Sequence, residues 1–334
     1  MDKGIGQSIK HDKWHASSRI SAITQWMRCM PNLTYLTRLG APLAGLLLSG
    51  LCSGTELPES AVTAAGAGPT SAPMVVRYYD RGAKDARHAY KFELIARILE
   101  VTRAEYGDYQ LAPFGEEPSA KRQAQLISEG KILNLLWASP GTVIARAEVI
   151  SIPLDILHGL LGYRICLINP ANFPDSEKLQ SLKQLRIAQG LNWADVEIYQ
   201  HNDIQPKQSS SFEALFEMLA AKRYECLPLG ADEVMYTWHD QKTKFPFLAI
   251  EPNILIYYDY PIYFHISKKF PALAERMELG LKKLQRSGEF ERLFQQHHKE
   301  NIAQLQLNQR KIFCLVSPYL PAQGQCEKRL DYPH

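Results

Sequence analysis

The sequence predicts an α/β fold of two lobes, each a mostly parallel sheet flanked by helices, with the chain crossing between them twice. Three observations predict it. Between residues 74 and 137, strand-like apolar runs alternate with stretches of helical period. A second alternation of the same kind begins after a break at 158–162. The chain then returns through two more strand-like runs and closes with two amphipathic helices. Strand–helix–strand order implies right-handed crossovers, and hence parallel neighbours.

In the first lobe, residues 74–79 (MVVRYY) read as a strand. Residues 90–102 place Phe92, Leu94, Ile95, Ile98 and Leu99 on one helical face. A strand is predicted over 108–114, a helix over 119–129 ending at Gly130, and a buried strand over 132–137 (ILNLLW). In the second lobe, residues 163–168 (YRICLI) and 182–190 read as strands, and 193–199 as a helix. Residues 209–222 carry the cleanest helical period, Phe212, Leu215, Phe216 and Leu219, with Ser210 or Ser211 as cap. A short strand over 225–228 and a helix over 231–239 follow. Strands at 247–258 and 262–266 lead to terminal helices at 271–285 and 288–297. The expected division is 74–158 with 261–321 as the first lobe, 159–260 as the second, and 322–334 as a tail. Hinges are expected near 158–162 and 259–261.

Residues 1–54 read as a leader. The run 39–51 (LGAPLAGLLLSGL) follows Arg38 and precedes small residues, the outline of a secretory signal core. It is shorter than the roughly 20 residues a membrane span needs. The core lies late in the chain, so a start at Met27 or Met30 is expected. Residues 1–38 hold six Lys/Arg and two Asp, a net +4, whereas the whole chain carries +3. The remainder is near neutral, which argues against a nucleic-acid partner. Residues 55–73 are an Ala/Gly/Pro/Ser linker. Lipid anchoring at Cys52 is disfavoured, because Leu51 stands where a lipobox requires a small residue. A periplasmic location follows.

Cys166 and Cys226 lie in apolar runs and read as small buried hydrophobes. Cys314 and Cys326 share the tail, and both bridged and free forms stay open. Motifs for hydrolase elbows, zinc proteases and phosphate loops are absent, and neither a cofactor nor a metal is expected. His297-His298 reads as a solvated pair, and the acid pairs Glu116-Glu117 and Asp232-Glu233 as side chains that point apart.

What remains is the chemistry of holding a small polar solute. Such clefts use an arginine fork, hydroxyls, free N–H groups at helix starts and aromatic walls. Four places supply these at the carboxyl ends of strands. Tyr79 ends the first strand, with Arg87 at the following helix. Trp137, Ser139, Thr142 and Arg146 follow the third. Gly190 and Trp193 form a strand-to-helix turn in the second lobe, and Glu233 follows its last buried strand.

These residues carry a resemblance. From about 74 to 320 the chain resembles a divergent branch of the bacterial extracellular solute-binding proteins of family 3, the polar amino-acid-binding class with the type II periplasmic fold. The likeness lies in Asn134-Leu-Leu-Trp-Ala-Ser139 with Arg146 and Ser151-Ile-Pro153, in the helix from Phe212 to Glu225, and in the closing segment from Phe264 to Phe294. It implies that Arg146 grips a ligand carboxylate, assisted by Ser139 or Thr142, and that Glu233 receives an amine. The chain departs from the family in Asn134 for Asp, Val143 for Thr, and Glu225-Cys226 for Asp-Ala. Leu161-Gly-Tyr-Arg164 and the segment from Arg310 to Pro321 mark the branch.

The resulting expectation is a monomeric, non-enzymatic receptor that captures an amino acid or carboxylate for an ABC permease. Two alternatives remain: a partner of a sensor kinase ectodomain, or a lyase- or dehydratase-like enzyme using Glu233 or Glu225 as acid.

Overall fold

The computed structural model describes residues 72–80, 88–115 and 118–321. The expected signal core at 39–51, Met27, Met30, Cys52, most of the linker, Arg87, Glu116, Glu117, Cys326 and the tail 322–334 lie outside the described residues.

Strand β1 (Met74–Tyr79) is followed by α1 (Ala89–Val101) and the short α2 (Arg103–Tyr106), then by β2 (Tyr109–Phe114), which pairs with β1 in parallel. The buried face of α1 is Tyr90, Leu94, Ile95, Ile98 and Leu99, close to the face its apolar spacing predicts. Helix α3 (Ala120–Glu129) starts at Ser119, whose hydroxyl accepts the Arg122 N–H, and ends at Gly130 in the left-handed region. The buried strand β3 (Leu135–Ala138) and β4 (Val149–Ile152) complete the first pass. Asn134 stitches β3 to β1: its side-chain oxygen accepts from Arg77 N at 2.7 Å and its amide donates to Val75 O at 2.9 Å.

The second pass runs through β5 (Tyr163–Ile168), β6 (Ala188–Gly190), α4 (Ala194–His201), β7 (Lys207–Ser209), α5 (Phe212–Ala220) and β8 (Leu227–Gly230). It continues with α6 (Val234–Gln241), β9 (Ala249–Ile250) and β10 (Ile254–Tyr257). The return comprises β11 (Tyr263–Ser267), α7 (Pro271–Ser287), α8 (Glu289–Leu305) and β12 (Lys311–Cys314).

The expected α/β class is present, but the chain passes between the two larger sheets three times, after β4, after β10 and before β12, and antiparallel pairs outnumber the expected parallel ones. In each of the two larger sheets, one strand runs against its neighbours, and in each case it is a strand that follows a crossing. Strand β11 lies between β3 and β4, antiparallel to both. Strand β5 lies between β8 and β10, antiparallel to both. Strands β6 and β7 are parallel, as βαβ order requires.

Five expectations are corrected. Strand β12 pairs with β10, so residues 311–314 belong to the second sheet rather than to the first lobe. The strand expected over 247–258 is broken into β9 and β10, because the buried Glu251 carboxylate accepts from Asn253 N at 2.9 Å and Ile254 N at 2.6 Å, forming a turn. The strand expected over 182–190 opens with a helical turn at Leu182–Gln184, capped by Ser181, and is extended only at Ala188–Gly190. Cys166 and Cys226 are joined in a disulfide, with Cα atoms 5.0 Å apart. His298 is 4% exposed rather than solvated, packed against Tyr90 and Phe294, while His297 meets Glu93 at 3.0 Å. Cys314 is also disulfide-bonded.

Helix α7 lies close on α1 because Gly280 has no side chain to meet Ile98 O. Arg276, fully buried on α7, donates to Leu99 O at 2.9 Å and Gly107 O at 3.0 Å, satisfying carbonyls at the end of α1 and after α2. The first two crossings touch. Asp155 accepts from Leu157 N and Ile262 N, each at 3.0 Å, and from Gly159 N. Gly162 sits directly against the Tyr258 carbonyl, an approach that a side chain would block. No helix among the described residues is long and apolar enough to cross a membrane.

Candidate functional site

At the carboxyl end of β1 and β3, Tyr79 stacks on Trp137 with ring centroids 5.2 Å apart. His88 and Phe92, from the start of α1, close the cluster at 5.4 and 5.8 Å from Trp137. This aromatic wall unites two of the four predicted places, because Asn134 holds the start of β3 against β1. Beyond it, Ser139 is buried and interacts with the Tyr260 hydroxyl. Thr142 folds the next turn: its hydroxyl donates to Ser139 O at 2.9 Å and accepts from Ala145 N at 3.2 Å. That turn presents Arg146 at the rim, 58% exposed, with its guanidinium 3.5 Å from Glu197 on α4.

On the second sheet, Gly190 lets the Trp193 ring lie against its Cα, and Trp193 neighbours Phe212 at 6.1 Å. Glu233 accepts from Gly230 N at 3.1 Å and faces Arg164 at 3.5 Å, so its cationic neighbour is a guanidinium of the chain itself.

Arg164 is the centre of a polar group that the sequence reading missed. It is 4% exposed on β5 and meets Asp195 at 2.6 Å. Its guanidinium lies over the rings of Tyr258 and Tyr260, 5.3 and 5.2 Å from their centroids. The Tyr258 hydroxyl donates to Asp195. Burial opposes the charge on Arg164, but Asp195, Tyr258 and Glu233 outweigh it and raise its pKa. Burial pushes the hydroxyls of Tyr258 and Tyr260 well above the ordinary tyrosine range, so both stay neutral.

A second buried contact spans the sheets. Lys91, on α1, lies 4.0 Å from Asp232, in the turn after β8. The other Asp232 oxygen, Oδ1, is buried without a hydrogen-bond partner. Signals for these residues were present: an arginine inside the apolar run YRICLI, a lysine inside an apolar helix face, and the tyrosine-rich YYDY.

The arrangement offers cations, carboxylates and neutral hydroxyls in a dry setting between two sheets, which suits recognition of a small zwitterion or anion. The contact of Ser151 with His265 at 2.8 Å is a cross-strand pair of β4 and β11. His265 is 1% exposed, with its other nitrogen against Ala138 O, an arrangement that holds the strands together.

No protein-family model matches the chain, and no curated protein matches it. Solved structures do resemble it. An ABC uptake transporter substrate-binding protein from Streptococcus pneumoniae with bound histidine is 12% identical, with a TM-score of 0.44, covering 64% of this chain and 84% of that one. A histidine kinase sensor domain with similarity to periplasmic binding proteins is 16% identical, with a TM-score of 0.45, covering 67% and 95%. An ancestral amino-acid-binding protein, a precursor of cyclohexadienyl dehydratase, is 13% identical, with a TM-score of 0.43, covering 63% and 85%.

Proposed function

We propose that this chain is an exported solute-binding protein that closes two lobes over a small polar solute of amino-acid or carboxylate type. Its partner in this reading is a membrane complex, an ABC permease in the first instance. The observation that carries the proposal is the concentration of buried charge between the sheets: Arg164 with Asp195, and Lys91 with Asp232, whose Oδ1 is left without a partner. Burying such groups costs several kcal/mol unless they are compensated. The ammonium group of an amino-acid solute supplies the donor that Asp232 Oδ1 lacks, whereas Arg164 and Asp195 already compensate each other. The aromatic wall of Tyr79 and Trp137 gives such a solute an apolar surface, while Ser139 and Thr142 offer hydroxyls at its edge.

Arg146 is assigned to a solute carboxylate at the rim, where it now faces Glu197. Gly190 and Trp193 form the opposing edge, and Glu233 with Arg164 the polar interior. Arg87 keeps its sequence-based assignment as a ligand contact at the start of the first helix. The Cys166–Cys226 disulfide supports export, since such bonds persist in oxidising compartments.

Isothermal titration of the exported protein against a panel of amino acids and dicarboxylates tests this reading. The expected result is stoichiometric binding of one class without turnover, weakened roughly 10–100-fold by Arg146→Ala. Absence of binding across the panel, or steady product formation, overturns it. A gene neighbourhood holding a permease and ATPase, as against a histidine kinase, identifies the partner.

A further inference from the structure

We propose that residues 310–320 form a built-in strap that latches the two lobes together in the absence of solute, with Tyr319 occupying the mouth of the cleft. The inference rests on the proposed closure of two lobes over a solute.

The strap begins where α8 ends. Arg310, 8% exposed, donates to Leu305 O at 2.7 Å and to Ile254 O at 3.2 Å, fastening the end of α8 to the start of β10. Strand β12 then adds to the edge of the second sheet. Next, the Asn202 side chain pairs with the Val316 backbone in both directions, accepting from N at 3.0 Å and donating to O at 2.9 Å. Leu315 and Ser317 are 5% and 1% exposed. Up to this point every anchor draws the segment onto the second sheet.

Tyr319 reaches the other way. Its ring lies on Gly141, in the turn after β3, at a place where any side chain on residue 141 would collide with it. Gly141 has φ +85, a conformation that suits glycine. The Tyr319 hydroxyl is 2.7 Å from Glu197 and 3.1 Å from Ala194 O, both on α4. Glu197 in turn faces Arg146. One side chain therefore touches the turn that presents Arg146 and holds the acid that faces it. Opening the lobes requires Tyr319 to leave either Gly141 or α4, and a solute carboxylate approaching Arg146 must displace Glu197 from a position that Tyr319 helps to fix.

Hydrogen exchange on the full exported protein without solute tests the latch. In Tyr319→Ala, peptides spanning 139–147 and 190–201 are expected to exchange roughly tenfold faster, while those from 271–305 are unchanged. Tyr319→Phe, which keeps the ring and loses the hydroxyl, is expected to fall between wild type and Tyr319→Ala. Unchanged exchange at 139–147 and 190–201 in Tyr319→Ala overturns the proposal. So does loss of protection throughout, 271–305 included, because Tyr319 would then support the whole fold rather than the mouth. No solute enters the measurement, so its outcome is independent of whether the titration panel contains a ligand.

Discussion

The carboxylate of Asp155, in the first crossing, accepts the backbone N–H of Ile262, in the second, at 3.0 Å. The same carboxylate takes Leu157 N and Gly159 N, so one side chain ties the first two connections between the sheets. Burial raises its pKa above the ordinary carboxylate value, and the three N–H donors offset only part of that rise. Asp155→Ala leaves those donors unmatched in a buried site and is expected to cost about 2–4 kcal/mol of unfolding free energy. Urea titration followed by far-ultraviolet circular dichroism measures the loss, and a change below 1 kcal/mol would deny Asp155 this role.

The Arg164–Asp195 pair behaves differently under single and double replacement. Asp195→Ala strips Arg164 of its closest counter-charge and Tyr258 of its acceptor, with an expected cost of about 3–5 kcal/mol. Arg164→Met together with Asp195→Leu removes both charges and is expected to cost less than Asp195→Ala alone. Chemical denaturation of the three proteins gives the ordering directly.

Reduction of Cys166–Cys226 releases a sequence separation of 60 residues. The chain-entropy relation for such a loop gives about 4 kcal/mol. A melting temperature lowered by several degrees in Cys226→Ser, with or without reductant, is the expected observation. A wild type that melts identically with and without reductant would mean that the bond is not formed.

His298 makes stability depend on acid. Desolvation, helped by Lys91, His297 and His158, lowers its pKa from 6.5 to about 3. The unfolded chain therefore binds a proton below pH 6.5 that the folded chain refuses until about pH 3, and stability falls as the pH drops through that window. The loss attributable to this group between pH 7 and pH 5 is about 2 kcal/mol. His298→Leu is expected to show a shallower decline than wild type over the same range. Parallel slopes would assign the acid sensitivity to other groups.

Elements whose sequence encodes them locally were legible. The face of α1 follows from apolar spacing, and the cap of α5 is Ser211, whose hydroxyl accepts from Ala214 N at 3.3 Å. The break between β9 and β10 was not legible, because Glu251 makes it by reaching ahead to two backbone N–H groups inside an apolar stretch. The disulfide joins residues far apart in a chain whose few cysteines have no diagnostic spacing. In the site, Tyr79 and Trp137 were legible singly as aromatics at strand ends, but their stacking was not, since it depends on Asn134 fastening β3 to β1. Arg164, Asp195 and Tyr258 could not, since their association depends on β5 and β10 being neighbours and on α4 lying over both.

Strand β12 bears on how the molecule is made. It closes the flank of β10, yet residues 311–314 follow that strand only after β11, α7 and α8 have been made. Until they arrive, the outer edge of β10 has bare main-chain donors and acceptors, the kind of edge that recruits other strands. Completion of that sheet therefore waits on the helices that precede β12, and a chain cut before residue 311 is expected to present an edge that recruits other strands.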